Sequence, residues 1–383
     1  MYFCVGMRLR LTILALLCSL SLWGQEGFVG GNCMRTIYSG EEYLEMLLAD
    51  MAQAKESINI EYYWLDTDKS GRAVCRMLVQ KAREGVTVRL LMENMVVPFA
   101  REKYYQSLKK YGVQLCYVHN LERMGIFKSF GSVLGMRDHR KIVVIDEYIA
   151  YTGGMNFCDQ AVYDWHDTQV RVEGPIAGYL LQCMEQSWEI AGGSPFPVQV
   201  KQADGPARMR VVTSEKGASM DHIYLKALEE AQDYFYIQTP YFCPPENILQ
   251  ALKDASRRGV DVRILLPERS DWGFMNELSR DYFDQLLAAG IEVALFGAAY
   301  DHSKSFVCDG KLTYVGTVNM DKRSFCLNRE VGLLVDDFDV AREYTTHFEK
   351  LEAVSSHPVL GESVARGIHG PYRKFLHHLD PLF

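Results

Sequence analysis

Excess positive charge is the first thing this sequence lacks. Its 383 residues carry a formal net charge of −8 and a pI of about 5.7, whereas a protein that lives on a nucleic-acid backbone usually displays a basic stripe. That balance weighs against a nuclease. Metal-binding cysteine spacing is absent as well. The ten cysteines form no CxxC pair and no regular series, so no zinc site is expected. Cys75, Cys116, Cys183 and Cys308 fall in apolar runs, where a thiol packs as a small hydrophobe. Nor is any apolar run of comfortable membrane-spanning length. Leu11–Trp23 follows Arg8 and Arg10, a pattern that reads as a signal peptide or a single membrane anchor over residues 1–25. Low-complexity tracts are missing too. With 48% hydrophobic and 23% charged residues, the remainder is ordinary globular material, enough for two domains with a core each.

What the chain has instead is one pattern written twice. His139-x-Lys141-x4-Asp146-x6-Gly153-Gly154-x-Asn156 returns as His302-x-Lys304-x4-Asp309-x6-Gly316-Thr317-x-Asn319, with every spacing from His to Asn preserved. These residue types suit phosphate-ester chemistry. A histidine can attack or transfer a proton, and an ammonium with an amide NH2 can grip the developing oxyanion. Two copies point to one active site assembled from two half-sites.

The repeat extends beyond the motif. Ala54–Tyr63 matches Ala231–Pro240, Lys81–Leu91 matches Ser256–Leu266, and Tyr111–Tyr117 matches Ala289–Leu295. The last two pairs each contain a glycine stop followed by a strand-like run. Each half therefore alternates strands and helices before a catalytic hairpin, which predicts an α/β sandwich with a mixed sheet flanked by helices. The turn-rich stretch from Gly192 to Pro206 separates the halves, with domains expected at 30–195 and 207–383.

Within each hairpin, positions i and i+2 of a strand share a face, so His139 projects with Lys141 and His302 with Lys304. Small residues on the return strand let Asn156 and Asn319 come close to a phosphate. Asp167 and Glu330 each lie 28 residues beyond the motif histidine of their own half. A carboxylate on the second ring nitrogen would fix the tautomer and orientation of that histidine. Asp146 and Asp309 stand at hairpin turns, where aspartate commonly serves the backbone.

Taken together, these residues resemble the paired His-Lys-Asp signature of the phospholipase D superfamily, and within it the bacterial cardiolipin synthases. The supporting stretches are Ile60–Tyr63, Asp138–Lys141, Trp165–Pro175, Gln238–Phe242 and Asn319–Glu330. Pro381–Phe383 is similar to the apolar family terminus, and the likeness covers roughly residues 40–383. Two positions depart from the family pattern: His166 stands where arginine is usual, and Asp301 where an apolar residue is usual. The longer synthases carry two N-terminal spans, and here there is at most one.

The resemblance implies two phospholipase D-like domains related by a pseudo-twofold axis. It implies phosphatidyl transfer without metal or cofactor, through a phosphohistidine intermediate. His139 is the expected nucleophile and His302 the expected acid and base, with the reverse also chemically reasonable. Lys141, Lys304, Asn156 and Asn319 would stabilise the phosphoryl oxygens, and Asp146 and Asp309 complete the catalytic signature. The implied substrates are anionic phospholipids, phosphatidylglycerol among them, at a membrane surface and not nucleic acid. The cell membrane is the expected location, with peripheral or single-anchor attachment. A hydrolase of phospholipids and a phosphodiesterase or nuclease of the same superfamily are the rival readings. Met124–Met136 and Trp272–Met275 are candidates for lipid contact, and Glu61 and Tyr241 sit at matching strand ends expected to face the pocket.

Overall fold

The computed structural model describes residues 27–94, 99–118, 136–214 and 219–361. The segment at 1–25, most of the loop at 124–136 and the terminal Pro381–Phe383 lie outside the described residues.

Among the described residues two mixed sheets carry the architecture. In spatial order the first consists of Cys33–Ile37, Gln169–Glu173, Ile149–Gly153, Lys141–Ile145, Ser57–Tyr62, Thr87–Glu93 and Gln114–Val118. The second consists of Val29–Gly31, Gly205–Thr213, Val331–Asp336, Leu312–Gly316, Ser305–Cys308, Tyr234–Gln238, Asp261–Pro267 and Glu292–Phe296. Leaving out Val29–Gly31, the strand orders correspond one for one. In each sheet the three strands at one end run parallel and the rest antiparallel.

The parallel strands arise from repeated helix-then-strand steps. Helix Lys69–Arg83 starts at Asp68, whose side chain accepts from the Gly71 N–H, and buries Val74, Cys75 and Leu78. It stops at Gly85, which takes φ +91°, as Gly259 takes φ +96° after helix Glu246–Arg257. Only glycine enters that region without strain, so the chain turns there into the next strand.

Each sheet has an outer core of its own, built on Leu47, Ile58 and Leu90 in the first half and on Leu252, Phe235 and Ile264 in the second. A third core lies between the sheets. It joins Ile142, Val144 and Val170 to Leu265, Val315 and Leu333, with helices Pro175–Ile190 and Phe338–Glu352 packed into it. Arg140, fully buried, ties the halves further: its guanidinium donates to Ser187 Oγ (3.2 Å), the Ser214 carbonyl (2.9 Å) and the Glu330 carbonyl (3.3 Å).

The hairpins correct one expectation. Asp146 and Asp309, included in the catalytic set, sit at the turns, about 17 Å of strand beyond the motif lysine. Asp146 (φ 50°) with Glu147 (φ 56°), and Asp309 (φ 50°) with Gly310 (φ 61°), make tight turns with two positive φ angles. The Asp146 carboxylate accepts the N–H groups of Lys55 (2.8 Å), Glu56 (2.7 Å) and Ser57 (2.8 Å). Asp309 accepts those of Gln232, Asp233 and Tyr234, each at 2.9 Å. These aspartates therefore pin the hairpin to the entry of the central strand and never reach the motif histidines. Asp146→Ala and Asp309→Ala should each lower stability by about 2–4 kcal/mol, three charge-assisted bonds being lost at a partly exposed site. Urea unfolding followed by circular dichroism measures this, and midpoints unchanged from the parent would remove the role.

Candidate active site

Both motif histidines sit just ahead of the first strand of their hairpin, at the end of the interface between the sheets. Two short parallel strand contacts bring them together. Asp138 bridges to Arg329, and Tyr300–Asp301 pairs with Trp165–His166. Through these, the His139 N–H donates to the Arg329 carbonyl (2.9 Å) and the His302 N–H to the His166 carbonyl (2.8 Å). Each motif histidine is thus laid alongside the carboxylate-bearing segment of the other half.

The consequence is a crossed pairing. His139 Nδ1 lies 2.9 Å from Glu330 Oε2, and His302 Nδ1 lies 2.7 Å from Asp167 Oδ2. The equal offsets within each half suggested pairing within a half. The strand geometry reverses that, because each carboxylate faces the parallel segment opposite it. In both pairs Nε2 is left to work on a substrate.

A one-residue difference between the motif copies fits the two carboxylates. A Cβ at Gly154 would stand 2.1 Å from Asp167 Oδ1, so only glycine admits that side chain. Its counterpart Thr317 donates its hydroxyl to Glu330 Oε2 instead.

The other motif residues converge on the same place. Lys141 Nζ and Lys304 Nζ are buried and donate to the carbonyls of His139 and His302. Asn156 and Asn319 line a cavity of about 500 Å³ together with both histidines. The buried Oδ1 of each asparagine has no hydrogen-bond partner among the described residues. Tyr63 meets the His139 ring edge-on at 4.7 Å, and Trp165 lies 4.9 Å from the His302 ring.

Packing two ammoniums into one dry site changes their chemistry. Burial, and then the neighbouring Lys304 ammonium, push Lys141 down to about 7; burial pushes Lys304 down to about 8. Burial and the two lysines also hold His302 well below the usual histidine range, and burial lowers His139 against the pull of Glu330. Asp167 is pushed up to about 7 by burial. The free site is therefore short of positive charge near neutrality, and an incoming anion restores it.

The two departures from the family pattern meet each other. Asp301 Oδ1 lies 2.9 Å from His166 Nδ1, where the first half has Asp138 at 3.8 Å from Arg329. Burial alone would lower His166, but the hydrogen bond and charge of Asp301 prevail and raise it. His347, pushed down to about 4 by burial and by His166, stays neutral; its Nε2 lies 3.1 Å from His166 Nε2. A titratable histidine thus does in one half what an arginine does in the other.

Other expectations fare differently. Glu61 does not face the cavity. It is 1% exposed, with neither carboxylate oxygen hydrogen-bonded among the described residues, and burial followed by Asp138 raises its pKa well above normal. Tyr241, Trp272 and Met275 do line the cavity, as do Arg137, Asp271, Asp321 and Arg323, which sequence reasoning passed over. Arg137 carried one usable clue, its position two residues before His139 on a shared face. Among the described residues no group of side chains could hold a metal ion, and no helix is long and apolar enough to cross a membrane.

The family model for the cardiolipin synthase, phospholipase D-like domain matches residues 47–188 and 224–352. A probable cardiolipin synthase, YwiE of Bacillus subtilis, is 33% identical over 333 residues, covering 83% of this chain and 65% of that protein. Cardiolipin synthase A of Shigella boydii is 33% identical over 337 residues, covering 82% of this chain and 68% of the relative. The chain thus spans about two thirds of the length of these curated relatives. Among solved structures, phosphatidylserine synthase of Haemophilus influenzae superposes with a TM-score of 0.70 at 14% identity, covering 92% of this chain and 94% of that one. Polyphosphate kinase of Porphyromonas gingivalis gives 0.60 at 13% identity, covering 92% and 53%. At such identities these two share the fold alone.

Two outcomes follow from the geometry. Asp167→Asn and Glu330→Gln preserve shape but remove the charge facing the imidazole, and each should lower kcat by about 10²–10⁴-fold. Because the pairs cross, ¹⁵N NMR of the histidine rings should show Asp167→Asn disturbing His302 and Glu330→Gln disturbing His139. Disturbance within the same half would refute the crossed arrangement. Sulfate, which does not titrate near neutrality, should bind with proton uptake, since an anion raises lysines whose free values are about 7 and about 8. The protonated amines bind the anion, so affinity should fall as pH rises through 7 to 8. Calorimetry in buffers of different ionisation enthalpy reads the uptake, and a pH-independent affinity without proton exchange would count against it.

Proposed function

This chain belongs to the cardiolipin synthase family of phospholipase D-like proteins, and from that premise we propose that it is a phosphatidyltransferase acting on anionic phospholipids at a membrane surface. In this reading phosphatidylglycerol reacts with a second phospholipid to give cardiolipin and a small alcohol. The observation that carries it is the crossed pair: two histidines in one cavity, each held through Nδ1 by a carboxylate of the opposite half, with a lysine and an asparagine beside each. Two Nε2 atoms facing one space suit a double displacement at phosphorus.

Binding of the anionic substrate first brings a proton to His302 Nε2. The first step then forms a bond from His139 Nε2 to phosphorus and breaks the bond from phosphorus to the glycerol oxygen, while the His302 imidazolium gives that oxygen its proton. In the second, His302 takes the proton of the acceptor hydroxyl, whose oxygen displaces the His139 nitrogen. The near-twofold site makes the roles chemically exchangeable. Glu330 and Asp167 keep the Nδ1 proton in place and stabilise whichever imidazolium forms. Lys141, Lys304, Asn156 and Asn319 face the charge on the non-bridging oxygens, and loss of one such donor should raise the barrier by about 2.7–4 kcal/mol. Exposed Trp272 beside the cavity suits contact with acyl chains, which supports peripheral attachment to the membrane.

The test is product analysis. Purified protein is incubated with labelled phosphatidylglycerol in mixed micelles without divalent metal, and the lipids are resolved. Cardiolipin with released glycerol is the expected result; phosphatidic acid alone would make the protein a hydrolase, and no turnover would dismiss both. His139→Ala and His302→Ala should each reduce turnover by about 10³-fold or more. Near-parental activity in either would sink the two-half-site mechanism.

A further inference from the structure

The ribbon that brings His302 to Asp167 is short, and its two faces carry different chemistry. Tyr300–Asp301 pairs in parallel with Trp165–His166, two residues against two. Alternation along the strands sets Trp165 against Tyr300 (5.0 Å) and Asp167 against His302 (2.7 Å) on the cavity face. His166 and Asp301 share the reverse face, with Nδ1 2.9 Å from Oδ1. Asp301 is fully buried and also accepts the Ser303 N–H (3.2 Å), the Ser303 hydroxyl (2.7 Å) and Gln238 Nε2 (3.3 Å). Burial works against its ionisation, but the His166 and Ser303 donors outweigh it and hold the carboxyl below the usual range.

The other edge of the His166 ring meets helix Phe338–Glu352, where His347 Nε2 lies 3.1 Å from His166 Nε2. The His347 ring is stacked on Tyr38 at 3.5 Å. One proton, and only one, fits between two imidazole nitrogens at that distance. With its Nδ1–H committed to Asp301, His166 is either an imidazolium donating to His347 or a neutral ring accepting from it. His347 is neutral in both states, and the shared proton decides whether the back of the ribbon is an ion pair. The other charged and titratable groups nearby are Asp167, next in the chain, Lys350, which acts on His347, and Glu343, which acts on Tyr38. Burial opposes a charge on His166, whereas the Asp301 contact and then Asp167 favour it and prevail. In the first half the matching place, one residue before the carboxylate partner, belongs to Arg329, 3.8 Å from Asp138. A guanidinium keeps its charge at any ordinary pH.

We propose that His166 is a positioning residue for His302: its imidazolium clamps the reverse face of the ribbon to Asp301, and deprotonation loosens the Asp167–His302 contact on the other face. The clamp is complete below the ordinary histidine value and is lost as pH rises through the raised value of folded His166. His139 and Glu330, backed by Arg329, keep their contact over the same range. One half of the site thus has an alkaline limit that the other lacks. This inference rests on the reading of His302 as a catalytic group and adds a pH control to it.

The first test gives position 166 a cation that does not titrate. Lys141 and Lys304 titrate in parent and variant alike, so the ratio of the two kcat values for phosphatidyl transfer isolates His166. For His166→Arg the ratio of variant to parent should rise about threefold or more from about pH 6 to about pH 9. A ratio that stays flat with pH overturns the proposal. His347→Phe asks no arginine to fit. It takes the acceptor from the imidazolium, so the alkaline fall in kcat should move to lower pH than in the parent. An unmoved fall also counts against the clamp. The third measurement needs no catalysis: ¹⁵N NMR of the histidine rings in substrate-free protein. His166 should titrate above the ordinary histidine value, and the His302 Nδ1–H signal should weaken in step with it while that of His139 persists. A His166 that titrates at or below the ordinary value, or a His302 signal indifferent to it, refutes the clamp. Coupled titration without lipid transfer would keep the clamp and remove the phosphatidyltransferase; transfer without coupling would do the reverse.

Discussion

Two imidazole–carboxylate contacts, each crossing the boundary between the halves, are what the rest of the molecule is arranged to hold. They need the two short parallel strand contacts, which need the sheets to face each other, which in turn needs the shared core around Ile142, Val315 and Leu333. Neither half contains a complete site. A histidine without the opposite carboxylate has no fixed tautomer, so any slippage between the halves disables both histidines at once.

The same closeness sets the electrostatic character of the site. Lys141 and Lys304 are buried within mutual influence, at a desolvation cost that lowers both. Two carboxylates and a set of backbone carbonyls offset only part of it. A bound anion would supply the balance, which is what the proposed phosphodiester substrate brings. Beneath this layer the halves diverge: Arg329 faces Asp138 on one side, while His166 faces Asp301 on the other. The second pair can lose its positive charge by deprotonation of His166, which Asp301 holds above the usual histidine value, and the first cannot.

Much of this was legible in the sequence, because repetition is a strong constraint. The shared spacings exposed the motif, and the glycines at 85 and 259 marked where helices end. The likeness of the halves led to an α/β sandwich with a mixed sheet, and the family match agrees with that fold class. Other features were hidden for physical reasons. The crossing of Asp167 and Glu330 depends on how two sheets dock, which no spacing within one half encodes. Asp146 and Asp309 serve the backbone, as their place at the hairpin turns suggested, although the family signature had put them in the catalytic set. Glu61 seemed to face the pocket from strand position alone, yet the burial of Asp138 and Arg140 beside it leaves it walled off. Asp271 lies in a loop past the matched segment Ser256–Leu266, and Arg323 sits inside the repeat opposite Gln160, so neither had a like residue in the other half to draw attention to it.

The strand that breaks the correspondence between the sheets has a consequence of its own. Val29–Gly31 pairs with Gly205–Thr213 at the edge of the second sheet, while Cys33–Ile37, two residues on, pairs with Gln169–Glu173 in the first. Asn32 is the rivet between them: its side-chain amide donates to the Val29 carbonyl (2.8 Å) and its Oδ1 accepts the Ile176 N–H (2.9 Å). Neither sheet can come apart without peeling an edge from the other, so the crossing strand couples the opening of one half to that of the other. A half-melted state with one sheet intact would keep a fold but no chemistry, and the clasp works against it.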